Sequence, residues 1–380
     1  MKLTIIHTGK PERTLDELVR CGENFGFAVE VLKITKDIIQ FNQIDEKIGD
    51  AVLWRLSDIG FDGVAIFQPT LIDKITINPA MSVFPETASK FFQQGVLLYS
   101  DLSDYHVDTF VIANKDDVKK YISIGKLKYP VVVKPSRGAS SKGLGFIKNA
   151  EELEMAVVSG LVQPYIESDA EWRVFVVGGV SIGAMRKVAR QDQVFNSSEG
   201  AIFSKEEDET TLQEINKLAC RASSLFLSGC NGVDIIREKQ SGKYKILEVN
   251  LAPGWQNGWD RVTGEDVPRE VMQWYLERYE MRKMPLHEAI ERYLRGRLGR
   301  LTKGKQADIL GILDGGIKQY ELPVGMMEKA EELISPLGNF LVDLHDRINM
   351  STMHNLEDAG VLNAKFVMSA KAGLEKEQRI

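Results

Sequence analysis

At 380 residues the chain is long enough for two or three domains, and its 43% apolar and 27% charged residues exclude a disordered or fibrous protein. The formal net charge of −6 argues against nucleic-acid binding by bulk electrostatics, and no apolar run is long enough for a signal peptide or a membrane span. Three cysteines without a CxxC pair favour a reduced, cytoplasmic protein.

The first 80 residues alternate predicted strands with a helix. KLTIIHTG predicts a strand, a helix with Leu15, Leu18, Val19 and Gly22 on one face follows, and FAVEVLKI predicts a second strand. DAVLWR and FDGVAIFQ predict further strands. This order predicts a small parallel α/β layer, followed by a helix over FPETASKFFQQ.

A second region begins near Phe110. It reads as strand–helix over DTFVIANKDDVKKYISI, then as strand–loop–strand over YPVVVKPSRGASSKGLGFI. EWRVFVVGGVSIGAMRKVA predicts a hairpin that turns at Gly178 and Gly179. VDIIRE and YKILEVN predict the last two strands, residues 267–298 a helix, and the remainder to residue 380 short helical segments.

The loop KPSRGASSKGLG, residues 134–145, is rich in glycine, serine and cations. Small residues let backbone N–H groups approach a polyanion, and Lys or Arg supplies the opposing charge. A Walker A loop is excluded, because Leu144 and not Lys follows Gly143. The composition leaves two readings open: a phosphate-binding loop that begins at Lys134, and an ordinary hairpin loop.

Polar side chains interrupt the last predicted strand. Side chains alternate along YKILEVNLAPG, so Glu248 and Asn250 share one face. Asp234, on the predicted neighbouring strand, offers a third oxygen, and such ligands suit Mg²⁺. A buried Glu held by an Arg is the alternative, but no donor is evident, and the pattern predicts a metal site. The apolar residues predicted for the opposite face are Leu247, Val249 and Leu251.

Residues 110–278 resemble the ATP-grasp superfamily, and within it the RimK-like ligases that attach amino acids such as glutamate to a carboxylate. The resemblance implies an α/β (α+β) fold: an ATP-grasp domain, preceded by a parallel α/β pre-ATP-grasp domain and followed here by a mostly helical appendage. We place these three units at residues 1–108, 109–282 and 283–380. The segments that carry the resemblance are VVVKPSRGASSKGLGFI, LVQPYIE, EWRVFVVGG, AMRK, FNSSEGA, GVDII and LEVNLAPGW, with WR, INP and Lys90 in the N-terminal layer.

The resemblance implies a role for each matched position. Lys134, with Lys90 as a helper, would hold the α and β phosphates of ATP, and Asp234, Glu248 and Asn250 would bind two Mg²⁺, with Mn²⁺ as an alternative ion. The loop residues implied to close over the phosphates are Ser136, Gly138, Ser140, Ser141, Lys142 and Gly143. The residues implied to hold adenine and ribose are Gln163, Pro164, Tyr165, Ile166, Glu167 and Asp169. Those implied to line the reacting centre are Arg173, Arg186, Lys187 and Asn196.

The implied activity is an ADP-forming ligase that activates a carboxylate as an acyl phosphate and joins it to an amine. We expect an amino acid to be added to a peptide, protein or carrier acceptor. Pro164 departs from the family at the hinge and removes a side-chain contact there, and Val194, two residues before Asn196, leaves the amino acid undetermined. Two alternatives stay open, a ligase of two free small molecules and an inactive ATP-binding partner module. We expect a homo-oligomer without membrane or nucleic-acid partners.

Three features outside these motifs carry open alternatives. Residues 283–305 are locally basic, which predicts either a solvated face or a docking surface for an acidic partner. Trp255 and Trp259 follow the metal strand and either pack in the core or wall the acceptor side. His345 and His354, beside acidic residues, favour an amphipathic helix over a second metal site.

Overall fold

A computed structural model describes residues 1–7, 13–33, 47–55, 74–78, 89–135, 144–168, 170–188, 202–226, 228–255, 259–281 and 283. Within these ranges the chain forms thirteen strands in three sheets, together with seven α-helices. None of the helices in the described ranges has the length and apolar character needed to cross a membrane. The predicted strand FDGVAIFQ and the predicted C-terminal extension lie outside the described residues.

The N-terminal layer is a parallel sheet, as the sequence predicts. Its strand order is β2-β1-β3-β4, and every pair in it is parallel. The helix between its first two strands buries Leu15, Leu18 and Gly22 on one face, which confirms the predicted periodicity. The elements are β1 (Lys2–His7), α1 (Arg13–Asn24), β2 (Ala28–Lys33), β3 (Ala51–Arg55) and β4 (Ile75–Thr76).

The second sheet is antiparallel and has a hydrophobic core of its own. Its strand order is β5-β8-β6-β7, and its cluster includes Val118 from one helix and Leu153 from another. Asn114 begins the first of these helices with a capping box, in which its side chain accepts from backbone N–H. The elements are α2 (Lys90–Leu98), β5 (Phe110–Ile112), α3 (Lys115–Ser123), β6 (Val131–Lys134), β7 (Gly145–Ile147), α4 (Ala150–Met155) and β8 (Gly160–Pro164).

The third sheet is also antiparallel and is called the central sheet below. Its strand order is β11-β10-β9-β12-β13. The predicted hairpin is confirmed: its turn residues Gly178 and Gly179 have φ of 58° and 77°, values that glycine adopts without strain. The elements are β9 (Glu171–Val177), β10 (Val180–Val188), β11 (Ile202–Lys205), α5 (Glu209–Leu225), β12 (Cys230–Arg237), β13 (Tyr244–Asn250), α6 (Trp259–Thr263) and α7 (Val267–Met281).

The N-terminal layer and the central sheet share two cores. One core joins Trp54 of β3 to Trp172 and Val233 of the central sheet and to residues of α5. The other joins Ile5 of β1 to Phe175 and to residues of α7. Because the two layers are buried against each other, side chains of the N-terminal layer can reach the backbone of the central sheet. The domain boundaries at 108 and 282 stay predictions.

Candidate active site

The predicted metal strand is β13, the last strand of the central sheet. Val249 lies in the shared core, so Glu248 and Asn250 on either side of it point to the opposite face. In the register between β12 and β13, Glu248 is opposite Asp234 and Asn250 is opposite Gly232. The three predicted oxygen ligands therefore come together on two adjacent strands, as the sequence indicates.

The predicted alternation fails at one residue. Between Asp234 and Ile235 the register with β13 shifts, so that Leu247 is an extra residue in the ladder. The buried core contains Ile246 and Val249 and not Leu247, because the bulge changes the phase of the alternation. Assigning Leu247 to the same face as Val249 was therefore wrong, whereas the shared face of Glu248 and Asn250 is unaffected.

Asp234 has a donor that the sequence pattern did not reveal. Arg173 on β9 is opposite Asp234 in the register and donates two hydrogen bonds to it, from Nε to Oδ1 at 2.7 Å and from the terminal nitrogen to Oδ2 at 2.6 Å. Burial alone would raise the pKa of Asp234, but the Arg173 charge and hydrogen bonds outweigh it and lower that pKa. The carboxylate is thus held ionised, and the expectation that it lacks a donor was wrong.

Glu248 contacts a lysine from the N-terminal side of the site. Lys90 is the first residue of α2, where Ser89 caps the helix, and its Nζ lies 3.3 Å from Glu248 Oε1. The Lys90 side chain is 13% exposed and the Glu248 side chain 25% exposed, so this ion pair is partly shielded from water. The structure therefore places the predicted helper lysine directly on a predicted metal ligand.

Lys134 brings the second sheet to the same site. It is the last residue of β6, at the start of the glycine loop. Burial lowers the pKa of Lys134, while the nearby carboxylates of Glu248, Glu171 and Asp234 act to raise it. Among the described residues, the Lys134 side chain forms no hydrogen bond and no ion pair. A densely surrounded ammonium group in the field of three carboxylates is suited to receive an anionic ligand.

Lys187 and Arg186, which are both predicted to line the reacting centre, lie on opposite faces of β10. Lys187 is paired in register with Glu171 and forms an ion pair with it on the face of Arg173. Burial raises the pKa of Glu171, and Lys187 opposes this shift. Arg186 instead points toward Glu206, with its Nε 3.9 Å from Oε2. Lys187, and not Arg186, therefore lies with the other charged residues of the candidate site.

The predicted adenine hinge follows β8. Gln163 is buried and donates through Nε2 to Thr109 Oγ1 at 2.7 Å. The backbone N–H of Tyr165 donates to the Pro130 carbonyl at 3.1 Å, so this N–H is occupied within the protein. Glu167 forms an exposed ion pair with Lys239 at 2.9 Å. Pro164 ends the strand and Ile166 lies between Tyr165 and Glu167.

Trp255 and Trp259, which follow the predicted metal strand, both lie in the second shared core. The ring centroid of Trp259 lies 4.5 Å from that of Phe175. Trp255 also donates through Nε1 to Glu17 at 2.6 Å.

Several predicted residues lie outside the described ranges. The predicted site residues among them are Ser136, Gly138, Ser140, Ser141, Lys142, Gly143, Asp169 and Asn196. Most of the predicted basic segment and both His345 and His354 also lie outside these ranges.

Two buried glutamines of α2 were missed. Gln93 and Gln94 are almost fully buried and bond to the backbone of β13. The available signal was two consecutive amides inside the otherwise apolar segment KFFQQGVLL, since amides buried in such a helix need backbone or side-chain partners. Arg55 and Asn78, also buried, bond in the same way to residues that follow β13.

The donor set fits a magnesium–nucleotide ligand. Two carboxylates and one amide are hard oxygen ligands, and Mg²⁺ takes few protein ligands and completes its shell with phosphate and water. Within the described residues, no group of three or more His, Cys, Asp or Glu side chains is arranged to hold a metal ion. Lys134 and Lys90 lie beside the oxygens, where phosphates would need positive charge.

Comparisons with known proteins show which family and which relatives the chain is similar to. The family model described as a RimK-like ATP-grasp domain matches residues 91–275. A D-alanine--D-alanine ligase of Fusobacterium nucleatum subsp. nucleatum is 30% identical over 246 residues, which cover 56% of this chain and 84% of the relative. One of Prochlorococcus marinus (strain MIT 9301) is 30% identical over 205 residues, covering 48% of this chain and 53% of the relative. The chain spans about half the length of the first curated relatives it matches.

Solved structures share the fold. The ATP-grasp ligase PsnB complexed with minimal precursor, Mg and ADP superposes with a TM-score of 0.52 at 16% identity, over 72% of this chain and 96% of that one. PsnB complexed with precursor peptide PsnA2 and AMPPNP gives a TM-score of 0.52 at 14% identity, over 72% and 97%. The sheets described above are therefore those of an ATP-grasp fold. By its family-model match, its relatives and this fold, the chain belongs to the ATP-grasp family of carboxylate–amine ligases.

Proposed function

We propose that the protein is an ATP-dependent ligase that joins a carboxylate to an amine and releases ADP and phosphate. One observation carries the proposal: Lys134 of the second sheet lies in the field of Asp234, Glu248 and Glu171 of the central sheet. Cations and oxygen ligands from separate sheets thus converge where a magnesium–nucleotide complex needs both. The family membership of the chain supports the same activity.

The metal-binding residues in this proposal are Asp234, Glu248 and Asn250. We propose two Mg²⁺ ions, for which Mn²⁺ can substitute. Bound Mg²⁺ supplies neutralisation of phosphate charge and orientation of the phosphates. Arg173 keeps Asp234 ionised and oriented through its two hydrogen bonds, and Lys90 orients Glu248 through its ion pair. The site would therefore be partly organised before the ligand arrives.

The chemistry needs activation of the carboxylate. A carboxylate does not react with an amine at neutral pH, because the leaving group would be oxide. Its oxygen attacks the γ-phosphorus of ATP, the bond to ADP breaks, and an acyl phosphate forms. The amine then attacks the acyl carbon, phosphate leaves, and the nitrogen loses its proton as the amide forms. Lys134, Lys187 and Arg173 contribute positive charge beside the transferred phosphoryl group, and no protein nucleophile is required.

The acceptor in this proposal is a peptide or protein to which an amino acid is added. It is supported by PsnB, a neighbour in fold whose solved structure contains a precursor peptide. The second candidate is a ligase of two free small molecules, and it is favoured by the names of the D-alanine--D-alanine ligase relatives. An inactive ATP-binding partner module is the third, and the presence of Lys134, Asp234, Glu248 and Asn250 argues against it. Cytoplasmic location and homo-oligomer formation complete the proposal.

The first test removes one charge from each side of the site. Lys134→Ala and Glu248→Ala should each lower ADP release by at least about 10²-fold, because each removes a group that stabilises the transition state by charge. Thermal unfolding followed by circular dichroism should show both variants folded. Glu154→Ala, which removes an exposed carboxylate on α4, is the matched control and should keep full activity. A Glu248→Ala protein with wild-type ADP release would contradict the metal assignment.

The second test identifies the substrates. The wild-type protein is incubated with Mg-ATP, the twenty amino acids and a nucleotide-depleted cell extract, and products are measured by mass spectrometry beside ADP. A mass increase on a peptide or protein supports the proposed acceptor class. New small molecules without such an increase support the second candidate, and magnesium-dependent ATP binding with no product in either channel supports the third.

A further inference from the structure

Within the part of the chain that the structure describes, the outer edge of β13 has no strand beside it. β13 is the last strand of the central sheet, and no described strand pairs with the edge that faces away from β12. This edge is nonetheless buried, since Val249 is 1% exposed and Ile246 is fully buried. Buried backbone N–H and C=O groups need partners, because leaving one unpaired costs about 1–3 kcal/mol.

Side-chain amides of α2 make the hydrogen bonds that a neighbouring strand would make at this edge. Gln93 donates through Nε2 to the Val249 carbonyl at 2.8 Å and accepts at Oε1 from the Val249 N–H at 3.0 Å. This is the pair of hydrogen bonds that a neighbouring antiparallel strand would exchange with Val249. Gln94 donates to the Ile246 carbonyl at 2.9 Å and accepts from the Val107 N–H at 2.8 Å.

The same edge is held beyond the end of the strand. Asn78 donates through Nδ2 to the Leu251 carbonyl at 2.9 Å, and Arg55 donates to the Pro253 carbonyl at 2.8 Å. Four buried side chains from the N-terminal part of the chain thus follow the backbone from residue 246 to residue 253. Among them, the amide of Gln93 bonds at the position between the two predicted metal ligands.

This position gives Gln93 control over both ligands. The Val249 N–H belongs to the peptide plane shared with Glu248, and the Val249 carbonyl belongs to the plane shared with Asn250. Fixing both planes fixes the directions in which the two flanking side chains leave the backbone. The same helix also carries Lys90, whose Nζ lies 3.3 Å from Glu248. Helix α2 therefore fixes both the backbone of β13 and the position of the lysine that pairs with Glu248.

We propose that Gln93 is a positioning residue that aims Glu248 and Asn250 at the magnesium–nucleotide complex by replacing a strand at the outer edge of β13. This inference rests on the proposed function, because it assumes that the two side chains bind the cation. Groups that orient metal ligands from outside the coordination shell typically change metal affinity by about 10–100-fold when they are removed. Gln93 contacts no substrate in this proposal and acts through the strand.

The test compares two variants that lose the same kind of bonds. Gln93→Met removes one donated and one accepted backbone hydrogen bond at nearly constant volume. Tyr275→Phe is the matched control: the Tyr275 hydroxyl is fully buried, donates to the Val52 carbonyl at 2.6 Å and accepts from the Ile77 N–H at 3.3 Å. Both variants lower the melting temperature, but the two Tyr275 bonds go to Val52 of β3 and to Ile77 after β4, whereas those of Gln93 go to Val249 of β13.

The measurement is a magnesium titration of ADP binding by calorimetry, well below the melting temperature of each variant. We expect the Mg²⁺ concentration for half-saturation to rise about tenfold in Gln93→Met and less than about twofold in Tyr275→Phe. Magnesium-free ADP binding, which depends on the lysines, should change little in either. The KM for Mg-ATP should rise in Gln93→Met in the same proportion. Gln93→Asn keeps an amide but draws it back by one methylene, and should show the same direction of change if Gln93→Met does not fold.

The outcomes separate the two levels of the proposal. Wild-type protein that does not bind Mg-ADP would overturn the proposed function and with it this inference. Wild-type binding together with equal magnesium dependence in the Gln93 and Tyr275 variants would overturn the positioning role alone. A rise in the half-saturating Mg²⁺ concentration in the Gln93 variants, without a matching rise in Tyr275→Phe, supports it.

Discussion

The two faces of the central sheet carry different chemistry on the same strands. One face packs Trp172, Val233 and Val249 into the core shared with α5 and the N-terminal layer. The other face presents Arg173 and Asp234, which hydrogen bond to each other across β9 and β12. Because side chains alternate, a residue that stabilises the fold and a residue that binds ligand can be immediate neighbours in sequence. On the face of Arg173 the position along the strand also decides the role, because Phe175, two residues further along β9, packs in the second shared core.

The largest effect is expected from a pair of neighbours on β12. Asp234→Asn leaves the Arg173 charge uncompensated and should destabilise the fold by about 3 kcal/mol, the lower end of the range for breaking a buried ion pair, since both side chains are partly exposed. It should also lower ADP release by about 10²-fold, because it removes a predicted metal ligand. Urea unfolding and a coupled ADP assay measure the two effects.

Val233→Ala is the partner in this comparison. It removes two methyl groups from a fully buried position and should cost about 2 kcal/mol, with kcat within twofold of wild type at a temperature where the variant is folded. The comparison of faces breaks down if Val233→Ala loses activity while folded, or if Asp234→Asn keeps it.

A smaller effect is expected at Trp172, which lies beside Arg173 on the apolar face. Its Nε1 donates to Glu206 Oε2 at 2.7 Å, and Trp172→Phe removes this bond from a buried carboxylate. The expected loss is about 1–2 kcal/mol by chemical denaturation, with unchanged KM for Mg-ATP. Arg186 lies 3.9 Å from the same carboxylate. A changed rate of ligation in Trp172→Phe would therefore indicate that Arg186 acts at the reacting centre after all.

The smallest effect is expected for charges outside the central sheet. Glu154 on α4 forms ion pairs with Lys119 at 2.5 Å and with Lys115 at 2.9 Å, and hydrogen bonds from these lysines lower its pKa to about 2. The lowered pKa of Glu154 stabilises the fold at pH values above 4.5, the ordinary pKa of this carboxyl group. This stabilisation is lost as the pH falls through about 2. Glu154→Gln should therefore lower the melting temperature slightly at pH 7, less so in high salt, and not at all near pH 2.

The sequence predicted the elements whose signals are local. Glycines mark the turn between β9 and β10, and the apolar run before Lys134 marks β6, since both patterns lie within a few neighbouring residues. The shared face of Glu248 and Asn250 followed from alternation alone. Family resemblance added Lys90, whose contact with Glu248 joins residues far apart in the chain.

What could not be predicted depends on how strands are paired. The bond from Arg173 to Asp234 requires the register between β9 and β12, which no pattern within either strand contains. The bulge at Leu247 likewise appears only against β12. The two amides in KFFQQGVLL indicate that Gln93 needs a polar partner, but the partner, the edge of β13, is known only from the fold. The contacts of these residues depend on how separate segments are paired, so spacing within one segment does not predict them.

The extra residue at Leu247 divides β13 into two segments that are phased independently. Tyr244 to Ile246 follow one alternation and Glu248 to Asn250 follow another. If Leu247 were taken into a regular ladder without the bulge, keeping Ile246 in the core would turn Glu248 and Asn250 inward with it. The extra residue, held in a bulge, therefore sets the polarity of the ligand-binding segment without changing any of its residues. In this strand, the number of residues decides which side chains face the ligand as much as their identity does.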